Sequence, residues 1–422
     1  MDYNPLDYGA KGDGINNDRA AIQAAVDACA AAGGGRVVLS SGYRFLSGSV
    51  RLRSHVELYL ERGSLLKASG SLEDYLKPEQ PARDERATDV GTPVTGKPSW
   101  AFLYALDEED LAVTGPGVID GHGDAFVHRV SPWYVTGSFY PRPTLIYFEH
   151  CSNVTFRDTV LRNVSFWTMH LGGCEDVLVD AVRILNPLDV ANSDGIDVDH
   201  SRFVRIKDCH ITCADDCICM KNTLGNREYP HTSDVTVTGC TLVSTSAALK
   251  IGTEGVDDFE NILFSHCMID ASNRGISIQV RDEGSVRNVS FTDISIRTRR
   301  FEDSWWGCGE PVAVTAVDRV HERPCGKIEN IRFMNVDCEG ENGILIYGLP
   351  GRISDIRFEH IRVALKESSR WPKNRYDLRP GEDTGILERP GVPFLSRGAE
   401  NLSLHDVRLT GWNGAVQEPE IS

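Results

Sequence analysis

The feature that most restricts this chain is a short phrase that keeps returning: Asn or Asp, an aliphatic residue, any residue, then Phe, Val or Leu. It stands at Asn153-Val154-Thr155-Phe156, Asp176-Val177-Leu178-Val179, Asp234-Val235-Thr236-Val237, Asn261-Ile262-Leu263-Phe264 and Asn288-Val289-Ser290-Phe291. It returns at Asn330-Ile331-Arg332-Phe333, Asp355-Ile356-Arg357-Phe358 and Asn401-Leu402-Ser403-Leu404, and Phe203-Val204-Arg205-Ile206 fills the missing beat. Successive starts from 153 to 288 are 23, 27, 31, 27 and 27 residues apart. A sustained period of this size means stacked repeats, each burying its face against the next. Alternation of apolar and polar residues inside the phrase makes each unit a strand. The expected fold is all-β, a right-handed single-stranded parallel β-helix, with longer loops at 299–325 and 365–395.

A second strand series runs half a coil behind: Met169-His170-Leu171, Ile196-Asp197-Val198, Ile218-Cys219-Met220, Leu249-Lys250-Ile251, Ile276-Ser277-Ile278 and Ile344-Leu345-Ile346. Stacked in register, it presents an outward column of His170, Asp197, Cys219, Lys250, Ser277 and Leu345. Beside it runs a column of Asp199, Lys221, Gly252, Gln279 and Tyr347. This face is the expected cleft floor, with Trp305-Trp306 and Tyr140 as candidate aromatic walls for sugar rings; packing within the loop is the other reading of the tryptophans.

The amino-terminal part reads differently. Apolar positions 22, 25, 26 and 29 have helical spacing, with Asn17 or Asp18 as N-cap and Gly33-Gly34-Gly35 as the stop. The glycines follow the helix instead of preceding one, which argues against a phosphate loop. The expectation is a capping α-helix closing the open end of the stack, in a single domain spanning 1–422: cap 1–42, coils 43–365, loop and final coil 366–422. Gly117-Val118-Ile119-Asp120-Gly121-His122-Gly123 reads as a glycine-lined turn between coils.

With 61 acidic against 44 basic residues the net charge is −17, which excludes nucleic acid and anionic membrane as natural partners. No apolar run is long enough for a membrane span. No signal peptide is visible ahead of Met1-Asp2-Tyr3-Asn4, so the expected location is the cytoplasm, or a secreted or periplasmic one if a signal has been removed. The twelve cysteines recur near strand ends, as at Cys209, Cys217, Cys240 and Cys267, and read as reduced core residues. Cys217-Ile218-Cys219 has poor zinc spacing, and no structural metal is expected.

Chemistry concentrates in Asn192-Ser193-Asp194-Gly195-Ile196-Asp197-Val198-Asp199 and Cys213-Ala214-Asp215-Asp216-Cys217-Ile218-Cys219-Met220-Lys221. Asp194 and Asp215 are 21 residues apart, close to one coil, which would set them in adjacent rungs about 4.8 Å apart. Asp215 and Asp216 can both reach one cleft only at a bend or bulge. Crowded carboxylates raise one another's pKa, which supplies the protonated and ionised pair that glycoside hydrolysis needs.

Asn192-Ser193-Asp194, Gly195-Ile196-Asp197 and Asp215-Asp216-Cys217-Ile218 resemble the motifs of glycoside hydrolase family 28, the polygalacturonases and rhamnogalacturonan hydrolases. Phe166-Trp167-Thr168-Met169-His170 is similar to its Trp-x-x-His segment, and Asp7-Tyr8-Gly9-Ala10-Lys11-Gly12-Asp13-Gly14 to the start of many pectin-lyase-like β-helix proteins. The resemblance covers most of residues 4–365. It implies Asp215 as general acid, Asp194 and Asp216 as the groups activating water, inversion at the anomeric carbon, and no cofactor. Substrate-binding candidates are His170, Asn192, Asp197, Lys221, Lys250, Gln279, Arg281, Trp305 and Tyr347. For His170 the alternative is capping a rung, and for Lys250 and Arg281 a structural ion pair. His231 is a weaker candidate.

Two positions depart from the family pattern. Ala247 stands where its Gly-His-Gly histidine would be, and Ser277-Ile278-Gln279 where it has Arg-Ile-Lys. Ser and Gln cannot form a charge-assisted pair with a galacturonate carboxylate. The expected substrate is therefore a carbohydrate of pectin type, rhamnogalacturonan-like or carrying neutral sugars, over plain homogalacturonan. A polysaccharide lyase or uronate epimerase, with three aspartates able to bind calcium, is the first rival; a non-catalytic carbohydrate-binding β-helix is the second.

Overall fold

The structure, a computed structural model, describes residues 1–75, 96–127 and 141–422. Tyr140 and most of the polar stretch at 70–100 lie outside these residues. Short parallel strands stack as the repeat requires. One coil carries Met169–Gly172, Glu175–Asp180 and Arg183–Leu185. The next carries Ile196–Asp199, Arg202–Lys207 and His210–Cys213, and a third Ile218–Asn222, Ser233–Thr238 and Thr241–Ser244. Equivalent residues sit on one another: Val177 pairs with Val204, Val204 with Val235, Val235 with Ile262 and Ile262 with Val289.

The repeated Asn or Asp now has a cause. At all eight of these positions φ lies between 52° and 58°, the left-handed region that Asn and Asp tolerate better than other side chains. This turns the chain into the strand, and the side chains ladder across coils, as in Asn330 Nδ2 donating to Asn288 Oδ1 at 2.7 Å. Phe203 takes the same conformation, φ 55°, without that advantage. The phrase's last residue points inward. Phe264, Phe291, Phe333 and Phe358 stack with centroids 4.8, 5.0 and 4.6 Å apart in a continuous buried column.

The helix Arg19–Ala31 buries Ala21, Ile22, Ala25, Val26 and Cys29 against the first coils. Asp18 precedes it but does not cap it: its carboxylate accepts from the Lys11 and Gly12 amides at 2.6 and 2.9 Å, bending the entry segment. The expected boundary at residue 42 is not a structural one, because Asp2–Tyr3 already pairs with Gly35–Leu39, and Gly35–Leu39 with Val56–Leu60. The turn expected around Gly117 contains a strand, Val118–Asp120, paired on both sides. All twelve cysteines are buried free thiols.

The expected cleft floor forms one parallel sheet, with His170 beside Asp197, Asp197 beside Cys219, Cys219 beside Lys250 and Lys250 beside Ser277. One rung was not expected. Glu310–Ala316 lies within the presumed loop 299–325 and inserts Ala313 between Ser277 and Leu345, and Thr315 between Gln279 and Tyr347.

Candidate active site

Three carboxylates converge where two coils turn into the floor. Asp194 sits just ahead of strand Ile196–Asp199, and Asp215 and Asp216 just ahead of Ile218–Asn222, in the irregular corner after Cys213. Each offers an oxygen within 4.8 Å of the other two. The corner is fixed from behind. Ser244 Oγ donates to Asp215 O at 2.5 Å, Cys213 Sγ lies 3.0 Å from the same carbonyl, and Thr245 Oγ1 donates to Ala214 O at 2.6 Å. Successive aspartates in extended backbone would face opposite ways; the bend lets both face the cleft.

The three acids differ in surroundings. Asp216 accepts from Lys250 Nζ at 2.6 Å and from Ser246 Oγ at 3.1 Å. The carboxylate of Asp215, buried, accepts only the Asn192 amide, at 3.2 Å, among the described residues. Burial, and next the charge of Asp216, push its pKa up to about 7 against the opposing pull of Lys250 and Lys221. Burial likewise drives Asp194 well above the carboxylate range, helped by Asp197 and Asp215. The arrangement offers a proton from one carboxyl and a counter-charged carboxylate beside it. A cation could bridge three such oxygens, but an ammonium already supplies positive charge to this cluster.

Around this centre the expected residues divide. Asn192 takes φ 57° and is held by Arg142, whose Nη2 donates to Asn192 Oδ1 at 2.8 Å while Nη1 donates to Ala191 O at 2.6 Å. Lys221 Nζ sits 3.1 Å from Glu254 Oε2, 3.7 Å from Asp197 Oδ1 and 4.8 Å from the Trp167 ring centre. Among the described residues, neither carboxylate oxygen of Asp197 has a hydrogen-bond donor, and burial pushes this acid well above its ordinary range. Trp305 closes one side, its indole N–H donating to Ala214 O at 3.2 Å and its ring packed on Ala191 and Ala214.

Four candidates are engaged within the protein. His170 is 1 % exposed and its Nε2 lies 2.9 Å from Asp199 Oδ2, the arrangement of a residue that locks a rung. Arg281 is fully buried and spends its guanidinium on the carbonyls of Thr315, Leu378 and Pro380 and on Thr315 Oγ1. Gln279 donates to Arg379 O at 3.2 Å under the same segment. Tyr347 packs with Leu345, Tyr376, Leu378 and Leu395, remote from the acids. His231 lies 3.3 Å from Glu260 at the surface.

Sequence reasoning missed Glu254, Ser246, Arg142 and Arg379. Glu254 was findable, since period two from Lys250 through Gly252 turns it outward. Ser246 and Arg142 had no such signal, because both act from corners.

The sequence pattern described as glycosyl hydrolases family 28 matches residues 94–300, and that of rhamnogalacturonase A/epimerase, pectate lyase-like, matches residues 3–72. A probable polygalacturonase of Vitis vinifera is 26 % identical over 418 residues, covering 94 % of this chain and 82 % of that protein. A probable endo-xylogalacturonan hydrolase A of Aspergillus fumigatus is 30 % identical over 200 residues, 44 % of this chain and 46 % of that protein. The crystal structure of an exopolygalacturonase from Thermotoga maritima superposes with a TM-score of 0.70 at 21 % identity, covering 86 % of this chain and 87 % of that one. These relatives overturn the expectation of a cytoplasmic protein: such polygalacturonases and xylogalacturonan hydrolases are secreted extracellular or periplasmic enzymes, and the residue at which a chain starts carries no information on export. Repeat, acidic corner and matched pattern agree: residues 94–300 carry the pattern of glycosyl hydrolases family 28, on the parallel β-helix that polygalacturonases share.

Proposed function

We propose that the protein hydrolyses a glycosidic bond in a pectic polysaccharide carrying neutral sugars, with Asp215 as general acid and Asp194 and Asp216 gripping the attacking water. The observation that carries this reading is the inequality of the acids: Asp215 is held up to about 7 while its neighbour Asp216 is paired with Lys250 at 2.6 Å. A carboxyl that keeps its proton near neutrality can deliver it to a leaving oxygen, and a carboxylate fixed by an ammonium can orient water. Oxygens within 4.8 Å of one another are closer than the acid and base of a standard inverting pair, about 6.5–9.5 Å between carboxyl groups. Inversion therefore requires the water to sit against Asp194 and Asp216 together, to one side of the acid.

The substrate reading rests on the floor beyond Lys250. Among the described residues, the two positions beyond Lys250 that the family pattern fills with Arg and Lys are the neutral Ser277 and Gln279, so neither can pair with a uronate carboxylate; a neutral sugar needs no such partner. The lyase or epimerase reading is disfavoured, since Lys221 and Lys250 are both engaged by carboxylates. Release of reducing ends from homogalacturonan, xylose-substituted galacturonan and rhamnogalacturonan, comparing the parent with Asp215→Asn, tests the proposal. Loss of release in the variant supports it. An unsaturated, ultraviolet-absorbing product would replace hydrolysis by elimination, and proton NMR of the first-formed anomer decides between inversion and retention.

A further inference from the structure

The floor is open for only a short distance. On the carboxy-terminal side the outward residues Ser277, Gln279, Ala313, Thr315, Leu345 and Leu395 are all 2 % exposed or less. What covers them is a strap, the antiparallel hairpin Arg375–Asp377 with Ile386–Glu388, which has no place in the coil repeat. Tyr376 and Leu378 pack on Leu345 and Leu395. Arg281 reaches up to the carbonyls of Leu378 and Pro380, at 3.0 and 2.5 Å, and Arg274 Nη2 meets Asp377 Oδ2 at 3.1 Å. Arg379 ties the strap to the neighbouring wall: its Nη2 donates to Trp305 O at 2.7 Å, and its guanidinium lies 5.1 Å from the Trp306 ring centre.

The amino-terminal side is filled too. The turn Leu224–Asn226 and Tyr229 lie directly on Gly172 and Gly173, where a Cβ would meet Asn226 at 3.1 Å and the Tyr229 ring at 2.4 Å. Asn226 Nδ2 donates to Asp199 at 2.7 Å, and Tyr229 Oη to Glu149 at 2.8 Å. Lys97, from a different segment, bridges Glu149 and Glu228. Between the two walls some exposure remains beside the acids: Asp215 keeps 5 %, the Lys250 side chain 12 % and that of Glu254 26 %.

Resting on the hydrolase reading above, we infer that this site is a blind pocket that takes the end of a carbohydrate chain and removes a terminal unit, the strap 375–388 and the turn at 224–229 being its two end walls. A polymer lying across the floor would have to displace both walls, each held by buried charged or tyrosine hydrogen bonds. A chain end need displace neither wall. Trp305 and Arg379 form the rim over which the remainder of the chain leaves.

The test uses galacturonate oligomers of two to eight units, plain and xylose-substituted, labelled at the reducing end. In the first few per cent of turnover, fragments from one terminus only are expected, and polymer viscosity should fall no faster than reducing ends accumulate. Internal cleavage at early times overturns the inference while leaving the hydrolase reading standing. Calorimetric binding of the same ladder to Asp215→Asn gives an answer independent of turnover. Affinity that levels off by the trimer supports the pocket, whereas affinity climbing more than tenfold from trimer to hexamer, or no binding of any oligomer, overturns it. Absence of hydrolysis by the parent alongside a plateau in binding sinks the hydrolase reading and keeps the pocket.

Discussion

Lys250 Nζ lies 2.6 Å from Asp216 Oδ2, with the lysine side chain 12 % and the aspartate 2 % exposed. Burial works against the ammonium, but Asp216 holds its pKa above the ordinary lysine value. This chain has Ala247 one rung corner away and no histidine there, so Lys250, with Lys221 behind it, balances the acidic corner. Lys250→Met removes it and leaves three crowded carboxyls to share protons. The expected outcome is a fall in kcat on the order of 100-fold with little change in KM, the range of lost general acid–base assistance. A lysine that only bound substrate would raise KM and leave kcat standing, and steady-state kinetics separates the two.

Asp215 gives a prediction with a sign. Its carboxyl must be protonated to act, so activity declines as pH rises through about 7, and Asp215→Asn removes that activity altogether. The same shift is a stability statement. A folded-state pKa of about 7 against the ordinary 3.8 means that the folded protein binds the proton more tightly, so stability falls as pH rises between those values. Asn carries no charge to bury. The variant should be more stable than the parent at pH 8, by up to about 4 kcal/mol at 1.36 kcal/mol per unit, with the gain vanishing near pH 4. Urea unfolding at the two pH values measures it.

How much of this was legible in the sequence follows from which interactions are periodic. The stack, its register and the outward columns could be read because Val177, Val204 and Val235 repeat what one coil needs. The acids could be placed because Asp194 and Asp215 are one coil apart and Asp215-Asp216 demands a bend. The strap could not be read. Arg375–Asp377 and Ile386–Glu388 pair antiparallel, outside the repeat, and nothing in Gln279 or Arg281 announces that a segment about a hundred residues on, Arg379 to Pro380, will accept their hydrogen bonds. The partners of His170 were hidden for the same reason. Its register was right, but Asp199, Thr223 and Asn226 come together only through a turn between coils.

Asp199 is the structural counterpart of the three acids at the corner. Fully buried, it accepts from the Thr223 amide and hydroxyl at 2.8 and 2.7 Å and from Asn226 at 2.7 Å, with His170 at 2.9 Å and His200 at 3.0 Å. Burial opposes its charge, yet the hydrogen bonds of His170 and His200 hold it well below the usual range. A depressed folded pKa contributes stability that is present above the unfolded value and lost as pH falls through the folded one. Asp199→Ala should cost about 3–5 kcal/mol at pH 7, the range for breaking a buried charged network. Its deficit should shrink at strongly acidic pH, where the parent also loses the term; a constant deficit from pH 7 down to strong acid would sink this account.

Arg281 separates the strap from the chemistry. Its guanidinium donates to Pro380, Thr315 and Leu378 carbonyls and to the Thr315 hydroxyl, and it touches none of the three acids. Burial, with Arg274 and Arg319 close by, lowers its pKa to about 9, so it remains a cation at neutral pH, its desolvation offset by these acceptors, by the Val280 carbonyl at 3.0 Å and by the charge of Asp377. Arg281→Met fills much of the same volume but leaves the carbonyls without donors, at about 1–3 kcal/mol for each group left unsatisfied. The coils are held by their own ladders and aromatic stack, so the loss should be local: faster amide exchange in 375–388 with unchanged protection in 218–222 and 286–298. Uniformly faster exchange in all three segments would mean that the strap is part of the coil's cooperative unit and not a wall added to it.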